Sequence, residues 1–138
     1  MNKYSFAEIK INQSADFHTI VTLEMMASFL AISGDCNPLH LNMKYAQDSG
    51  FSSQVVYGLL TGSFLSTLVG VYLPGENALF LGADISFSKP VYVGDQLTVT
   101  GIVIEKNETF KQLKIKASIV NQEGCIVLRA KLKVGIRE

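Results

Sequence analysis

The sequence predicts an α+β fold in which a curved antiparallel sheet wraps around one long buried helix. One observation is a mainly apolar segment at residues 59–73, interrupted only by Thr, Ser and Gly and long enough for about four helical turns. A second is that almost everything after residue 78 has the composition of consecutive β-strands. Helical segments followed by an unbroken run of strands favour an antiparallel sheet packed against the helix.

The first elements are a short strand and a helix. Residues Ala15–Val21 are predicted to form the strand, and Thr22 is suited to cap a helix over Leu23–Ser33. Gly34 can then supply the left-handed turn at the helix end. We expect this helix to bury the face formed by four apolar residues, Leu23, Met26, Ala27 and Leu30.

The next segment, residues 35–40, is predicted to be a defined turn outside regular structure. Pro38 lacks an N–H and pushes Asn37 towards extended geometry. Asn42 can cap a short helical turn through Tyr45 and Ala46.

The long helix is predicted over Leu59–Leu73, with Gly58 before it and Pro74-Gly75 ending it. Because apolar residues go almost right round this helix, we expect it to be buried on most sides.

Four strands complete the fold. They are predicted at Leu79–Phe87, Gln96–Glu105, Lys111–Asn121 and Ile126–Gly135. Apolar and polar residues alternate most clearly in the third strand, which indicates one packed and one solvated face. The apolar set is Leu113, Ile115, Ala117 and Ile119, and the polar set is Lys114, Lys116 and Ser118. Asn107-Glu108 and Gln122–Gly124 are predicted hairpin turns. We expect residues 1–138 to form a single domain.

Composition excludes several classes of protein. The 12 basic and 12 acidic residues cancel and are scattered, so no nucleic-acid partner is predicted, and no segment predicts a membrane span. Cys36 and Cys125 are isolated and match neither a zinc site nor a disulfide framework, so a cytoplasmic protein without metal is expected. Nucleotide-phosphate loops and the serine-esterase elbow are also missing from the sequence.

The residues best suited to chemistry are Asp35 and His40. A carboxylate and an imidazole, separated by an Asn-Pro turn, can converge on one water molecule and move its proton. Histidines commonly titrate near neutral pH, which suits proton transfer in both directions. Spacing alone favours a simpler interpretation, in which Asp35 caps a turn and His40 is an ordinary surface histidine.

Other candidates surround this pair. Gly58 opens the long helix, so its N–H can point at a developing negative charge, or the glycine can simply permit a tight turn. Asn37 can contact substrate, or it can hold the loop by bonding backbone groups. Tyr57 can present its hydroxyl to the substrate, or it can simply pack in the protein interior. Ser66, two turns beyond Gly58, can face a substrate channel or bond its own helix. Cys36 lacks the second base of a catalytic thiol.

Three segments together resemble a known family. Phe29–His40 is similar to the hydratase motif of MaoC-like, R-specific enoyl-CoA hydratases, and Val55–Leu60 continues in the same order. Ser86–Asp95 resembles that family's F-x-x-P-V-x-x-G-D strand and turn. The resemblance covers roughly residues 15–135. Many members carry His where this chain has Tyr57, and Asp where it has Asn42.

The resemblance implies a single hot-dog fold, usually a homodimer, that hydrates trans-2-enoyl-CoA reversibly to (R)-3-hydroxyacyl-CoA. Asp35 and His40 would activate the water, and the Gly58 N–H would stabilise the thioester oxygen. Ser66 aligns with a serine that lies near the catalytic pair in some members. The only cofactor-like group would be coenzyme A, or the phosphopantetheine of an acyl carrier protein, as part of the substrate.

Three alternatives remain open at this point. The same pair can dehydrate a 3-hydroxyacyl group carried on an acyl carrier protein. A hot-dog module can bind acyl thioesters without catalysis. A hot-dog thioesterase would share the architecture and not the chemistry.

Overall fold

The computed structural model describes the whole chain, residues 1–138. In chain order its elements are β1 (Ser14–Ile20), α1 (Leu23–Ser33), α2 (Pro38–Leu41), α3 (Met43–Asp48), α4 (Gly58–Thr67), β2 (Ala78–Phe87), β3 (Gln96–Asn107), β4 (Gln112–Val120) and β5 (Ile126–Ile136). A π-helical segment, Leu68–Tyr72, continues α4 directly. The predicted strands are confirmed with boundaries that shift by one or two residues.

All five strands form one antiparallel sheet in the order β1-β3-β4-β5-β2. The alternation predicted for β4 is confirmed, because Ile115 and Ile119 are fully buried while Lys114 and Lys116 face solvent. The inward faces of β3, β4 and β5 supply most of the core, and Leu60 and Leu65 of α4 belong to the same cluster. This arrangement confirms the predicted α+β class.

One face of the central helix packs closely against the sheet. Leu65 and Leu68 are buried, and Gly101 of β3 lets Leu68 approach closely, because a Cβ there would lie 2.8 Å from the Leu68 Cδ2. Leu59 and Ser63 are exposed on the opposite side. Apart from Ser66, every other residue of the helix and of its π-helical continuation is buried or half-buried. The expectation that this helix is buried on most sides is therefore confirmed. No helix is both long enough and apolar enough to cross a membrane.

The first half of the chain departs from prediction in two places. In α1 only Met26 is fully buried, with Phe29 packed beside it, whereas Leu23 and Ala27 face solvent. The predicted apolar face is thus correct for Met26 and Leu30, which pack on the core, and wrong for Leu23 and Ala27, which do not. The turn predicted for residues 35–40 includes a four-residue helix that starts at Pro38, a residue whose fixed φ suits a first helical position.

The two edges of the sheet differ in character. Along β1 the exposed side chains are mostly polar, starting with Ser14 and Asp16. Along β2 three consecutive residues, Leu79, Phe80 and Leu81, are exposed, and the register shifts between Phe80 and Gly82. One edge is therefore polar, and the other presents large apolar side chains.

Candidate active site

The segment that carries Asp35 begins where α1 ends. Gly34 adopts the left-handed conformation with φ of 71° and donates its N–H to the Leu30 carbonyl. The Asp35 N–H then donates to the Ser33 hydroxyl at 3.2 Å. The Asn37 N–H donates to Oδ1 of Asp35 at 3.1 Å. These local bonds orient the Asp35 carboxylate and leave its Oδ2 free.

Asn37 closes the turn and starts α2. Its side-chain oxygen accepts the Leu39 N–H at 2.9 Å, as an N-cap does. This bond supports the loop-holding role for Asn37, and the contact with substrate that was predicted for it stays a prediction.

His40 lies in α2 with its ring mostly buried. Its Nδ1 is 2.6 Å from the Val55 carbonyl oxygen. Because a carbonyl can only accept, Nδ1 carries the proton of this bond, and Nε2 of the neutral ring has a free lone pair. The Val55 backbone therefore selects the tautomer that makes Nε2 a proton acceptor.

Asp35 and His40 face each other across a short gap. The Asp35 Oδ2 and the His40 Nε2 are 3.9 Å apart, too far for a direct hydrogen bond. A single water molecule can lie at about 2.8 Å from both atoms. The Asp35 side chain is 46% exposed and the His40 side chain 14%, so water can reach the gap from the carboxylate side.

Gly58 is the first residue of α4, and its N–H donates to no acceptor in the chain. The helix dipole adds to its affinity for negative charge. A Cβ at this position would lie 3.1 Å from Cζ of Phe87, tighter than an ordinary contact. The glycine thus keeps a free N–H beside an aromatic wall.

Tyr57 precedes Gly58 and is 1% exposed. Its hydroxyl donates to the backbone carbonyl of Asp35 at 2.8 Å. Its ring centroid lies 4.2 Å from that of His40 and 4.7 Å from that of Phe29. Burial raises the pKa of the phenol, and the Asp35 charge adds to this effect. Its depth does not support the predicted direct contact with substrate.

A cavity of about 320 Å³ adjoins these groups, and both His40 and Gly58 line it. That volume lies at the lower end of the range of small-molecule sites. The hydroxyl of Thr61, also on its wall, is buried without a hydrogen-bond partner. The apolar wall includes Phe51, Val56, Phe87, Val91 and Val127.

Two larger depressions lie elsewhere, of about 660 and 760 Å³. Their linings are mainly polar, and neither contains His40 or Gly58. His18, in the second, lies on the exposed face of β1 and bonds the Thr98 hydroxyl at 3.0 Å. The cavity beside His40 is therefore the better candidate site.

Several predicted residues lie outside this cluster. Ser66 is exposed on α4, and its hydroxyl makes no hydrogen bond within the chain, so its predicted channel role stays a prediction. Cys36 is an exposed free thiol.

Sequence reasoning missed three contributors to the site. Val55 acts through a backbone carbonyl, which no side-chain pattern reveals. Phe87 belongs to the F-x-x-P segment, but its contact with Gly58 depends on how β2 approaches the helix. The orphaned Thr61 hydroxyl is hidden within an apolar run.

Comparison with known proteins identifies a family that matches most of this chain. Residues 6–124 match the family model described as MaoC like domain. The (R)-specific enoyl-CoA hydratase of Rhodospirillum rubrum is 36% identical over 124 residues, which cover 86% of each chain. A mitochondrial 3-hydroxyacyl-[acyl-carrier-protein] dehydratase of Arabidopsis thaliana is 28% identical over 72% of this chain and 58% of its own.

A solved structure extends the likeness to the fold. The (R)-hydratase of Aeromonas caviae, described as involved in PHA biosynthesis, superposes with a TM-score of 0.89 at 31% identity. The match covers 94% of this chain and 98% of that one. The hot-dog fold expected from the sequence is thereby confirmed.

Proposed function

This chain belongs to the MaoC-like domain family, and we propose that it is an (R)-specific enoyl-CoA hydratase. It adds water reversibly to trans-2-enoyl thioesters and forms (R)-3-hydroxyacyl thioesters. The observation that carries this proposal is the 3.9 Å gap between Asp35 Oδ2 and His40 Nε2, with the proton of the imidazole held on the opposite nitrogen.

The gap is suited to orient and activate one water molecule. The water donates one hydrogen bond to Asp35 Oδ2 and the other to His40 Nε2. His40 takes the second proton as the water oxygen bonds to the β-carbon of the substrate. The Asp35 carboxylate stabilises the imidazolium that results, because opposite charges then face each other at close range.

The electrons of the carbon–carbon double bond move towards the thioester oxygen as the new bond forms. The free N–H of Gly58, at the positive end of the α4 dipole, stabilises this developing enolate. His40 then returns its proton to the α-carbon, and the carbonyl re-forms. One water is consumed, and its two protons end on the new hydroxyl and on the α-carbon.

We expect this reaction to need no separate cofactor, because adding water involves no net oxidation or reduction. Coenzyme A, or a carrier phosphopantetheine, enters as part of the substrate. The apolar cavity of about 320 Å³ is the proposed place for the acyl group.

The test is a spectrophotometric assay in which enoyl-CoA thioesters of increasing chain length lose their conjugated absorbance. Asp35→Asn and His40→Ala should each lower kcat by about 10²–10⁴-fold, the usual contribution of general acid–base catalysis. Full activity in both variants would contradict the mechanism. Release of free thiol instead of loss of conjugation would indicate a thioesterase, and acyl-CoA binding without turnover a non-catalytic module.

The likeness to the Arabidopsis dehydratase favours a second candidate, the reverse reaction on an acyl carrier protein. The same pair would remove the 3-hydroxyl group as water. Comparing kcat/KM for one acyl group presented on coenzyme A and on a carrier protein separates the two. A preference for the carrier thioester of 10-fold or more would favour the dehydratase, by the ~1.4 kcal/mol that a factor of ten represents.

We also propose that the protein forms a homodimer through β2. Exposed apolar side chains on an unpaired sheet edge are a ready template for strand pairing. Pairing of two β2 strands around a two-fold axis would join the sheets and cover Phe80 and Leu81.

A further inference from the structure

We infer that Tyr57 is a positioning residue that sets the distance between Asp35 and His40. The inference rests on the proposed hydratase function, and it assigns to Tyr57 a role distinct from substrate contact. Tyr57 neither lines the cavity nor reaches solvent, yet it contacts both members of the catalytic pair.

The first step concerns Asp35, which lies in an exposed loop. Residues 34–37 are otherwise hydrogen-bonded only to neighbours within four residues. The bond from the Tyr57 hydroxyl to the Asp35 carbonyl, at 2.8 Å, is the single hydrogen bond that joins this loop to a distant part of the chain. Without it, the carboxylate would keep its local orientation, but the whole loop could move relative to His40.

The second step concerns His40. The Val55 carbonyl holds one ring nitrogen, and the Tyr57 ring packs against the imidazole at 4.2 Å with 30° between the planes. Phe29 of α1 contacts Tyr57 at 4.7 Å. The Tyr57 ring is thus fixed by packing, independently of the hydrogen bond from its hydroxyl to Asp35.

The third step joins these contacts to Gly58. Val55, Tyr57 and Gly58 belong to one four-residue stretch, and they respectively hold His40, hold Asp35 and supply the free N–H. The relative positions of the base, the carboxylate and the oxyanion donor are therefore set by one short piece of backbone. A displacement of about 1 Å in such a set can lower a rate about 10²-fold.

The first experiment is Tyr57→Phe in the full chain, which removes the hydroxyl and keeps the ring. We expect kcat for an enoyl-CoA to fall about 10–100-fold while KM is unchanged, because the loss is in geometry and not in uniform binding. Tyr72→Phe is the matched control, since that ring stacks on Phe17 away from the site and its hydroxyl makes no hydrogen bond within the chain. It should keep the wild-type kcat.

A general loss of stability must be separated from positioning. Val99→Ala, at a fully buried position in β3, should lower Tm without a comparable loss of kcat. An unchanged kcat in Tyr57→Phe would overturn the inference. The inference would also be overturned if Val99→Ala lost as much kcat as Tyr57→Phe while the two variants had similar Tm values.

A second readout does not depend on turnover. In Tyr57→Phe the Asn37 amide, which reports the Asp35 loop, should exchange with solvent about five-fold faster than in wild type, the effect expected for one lost hydrogen bond. If wild type hydrates no enoyl thioester but Asn37 exchange responds in this way, the proposed function fails and the positioning contact stands. Unchanged exchange overturns the inference whatever the activity.

Discussion

At the scale of single residues, Asp35 and His40 each keep one atom free while another is occupied. Oδ1 of Asp35 accepts the Asn37 N–H, and Nδ1 of His40 donates to the Val55 carbonyl. The free atoms, Oδ2 and Nε2, are the two that face each other. The chemistry is thus directed by bonds on the far side of each group, which orient it and, for the imidazole, select the tautomer.

Gly58 offers a sharp test at this scale. Gly58→Ala should lower kcat by about 10-fold or more, because the added Cβ lies 3.1 Å from Phe87 and must displace either the ring or the N–H that stabilises the enolate. Gly62→Ala in the same helix is the control, since its Cβ meets nothing closer than 3.7 Å. Steady-state kinetics on one enoyl-CoA compare the two, and equal activities would contradict this role for Gly58.

The raised pKa of Tyr57 predicts a loss of stability at alkaline pH. Below the ordinary phenol value of 10.0 the phenol is protonated in both states and its contribution is complete. Above that value the unfolded phenol ionises first, so the free energy of unfolding falls until pH passes the folded pKa. Urea unfolding between pH 8 and 11 should show a shallower decline for Tyr57→Phe than for wild type. If the free energy of unfolding declines equally with pH in both proteins, the prediction is refuted.

At the scale of elements, β4 was the most predictable strand because its inward positions are apolar and its outward positions are mostly polar. In β4, Ile115 and Ile119 alternate with lysines, and this pattern fixes both the strand and its buried face. The helices were harder. Leu23 looks like a core residue in the sequence but is 64% exposed, because α1 leans on the core through Met26 and Phe29 instead.

The candidate site shows the same division. Asp35, His40 and Gly58 were predictable from residue type, spacing and resemblance, and the structure brings them together. The hydrogen bond from His40 to Val55 was not predictable, because it is made by a main-chain oxygen that every residue type carries. The depth of Tyr57 was not predictable either, because it depends on how two helices and a loop meet.

Gly101 is the element-scale test, where β3 meets the central helix. Gly101→Ala should lower the free energy of unfolding by about 1–3 kcal/mol, the usual cost of overpacking a core. The new Cβ would lie 2.8 Å from Leu68 and 3.1 Å from Ile115, and both are fully buried. Gly82→Ala in β2 is the control, with its nearest atom at 3.8 Å. Chemical denaturation compares them, and matched midpoints would be inconsistent with this close packing.

At the scale of the whole molecule, the difference between the two sheet edges predicts the assembly. Phe80→Lys with Leu81→Lys should convert a dimer into a monomer, because two lysines per chain would meet at the paired edge. Ser14→Lys on the polar β1 edge should leave the dimer intact. Light scattering coupled to size-exclusion chromatography measures both. A monomeric wild type, or a dimer unaffected by both lysines, would contradict the proposal.

The proposed catalytic groups all lie within residues 35–58, and most of the hydrogen bonds that orient them close within that stretch. Much of the wall of the proposed acyl cavity, by contrast, is formed by β2, the 88–91 segment and β5. These contribute residues such as Phe87, Val91 and Val127. Mutations of Val91 or Val127 are therefore expected to change which acyl chains the protein accepts while leaving the proton-transfer groups in place. Such a separation would let related proteins differ in the acyl thioesters that they accept while they keep the same reaction mechanism.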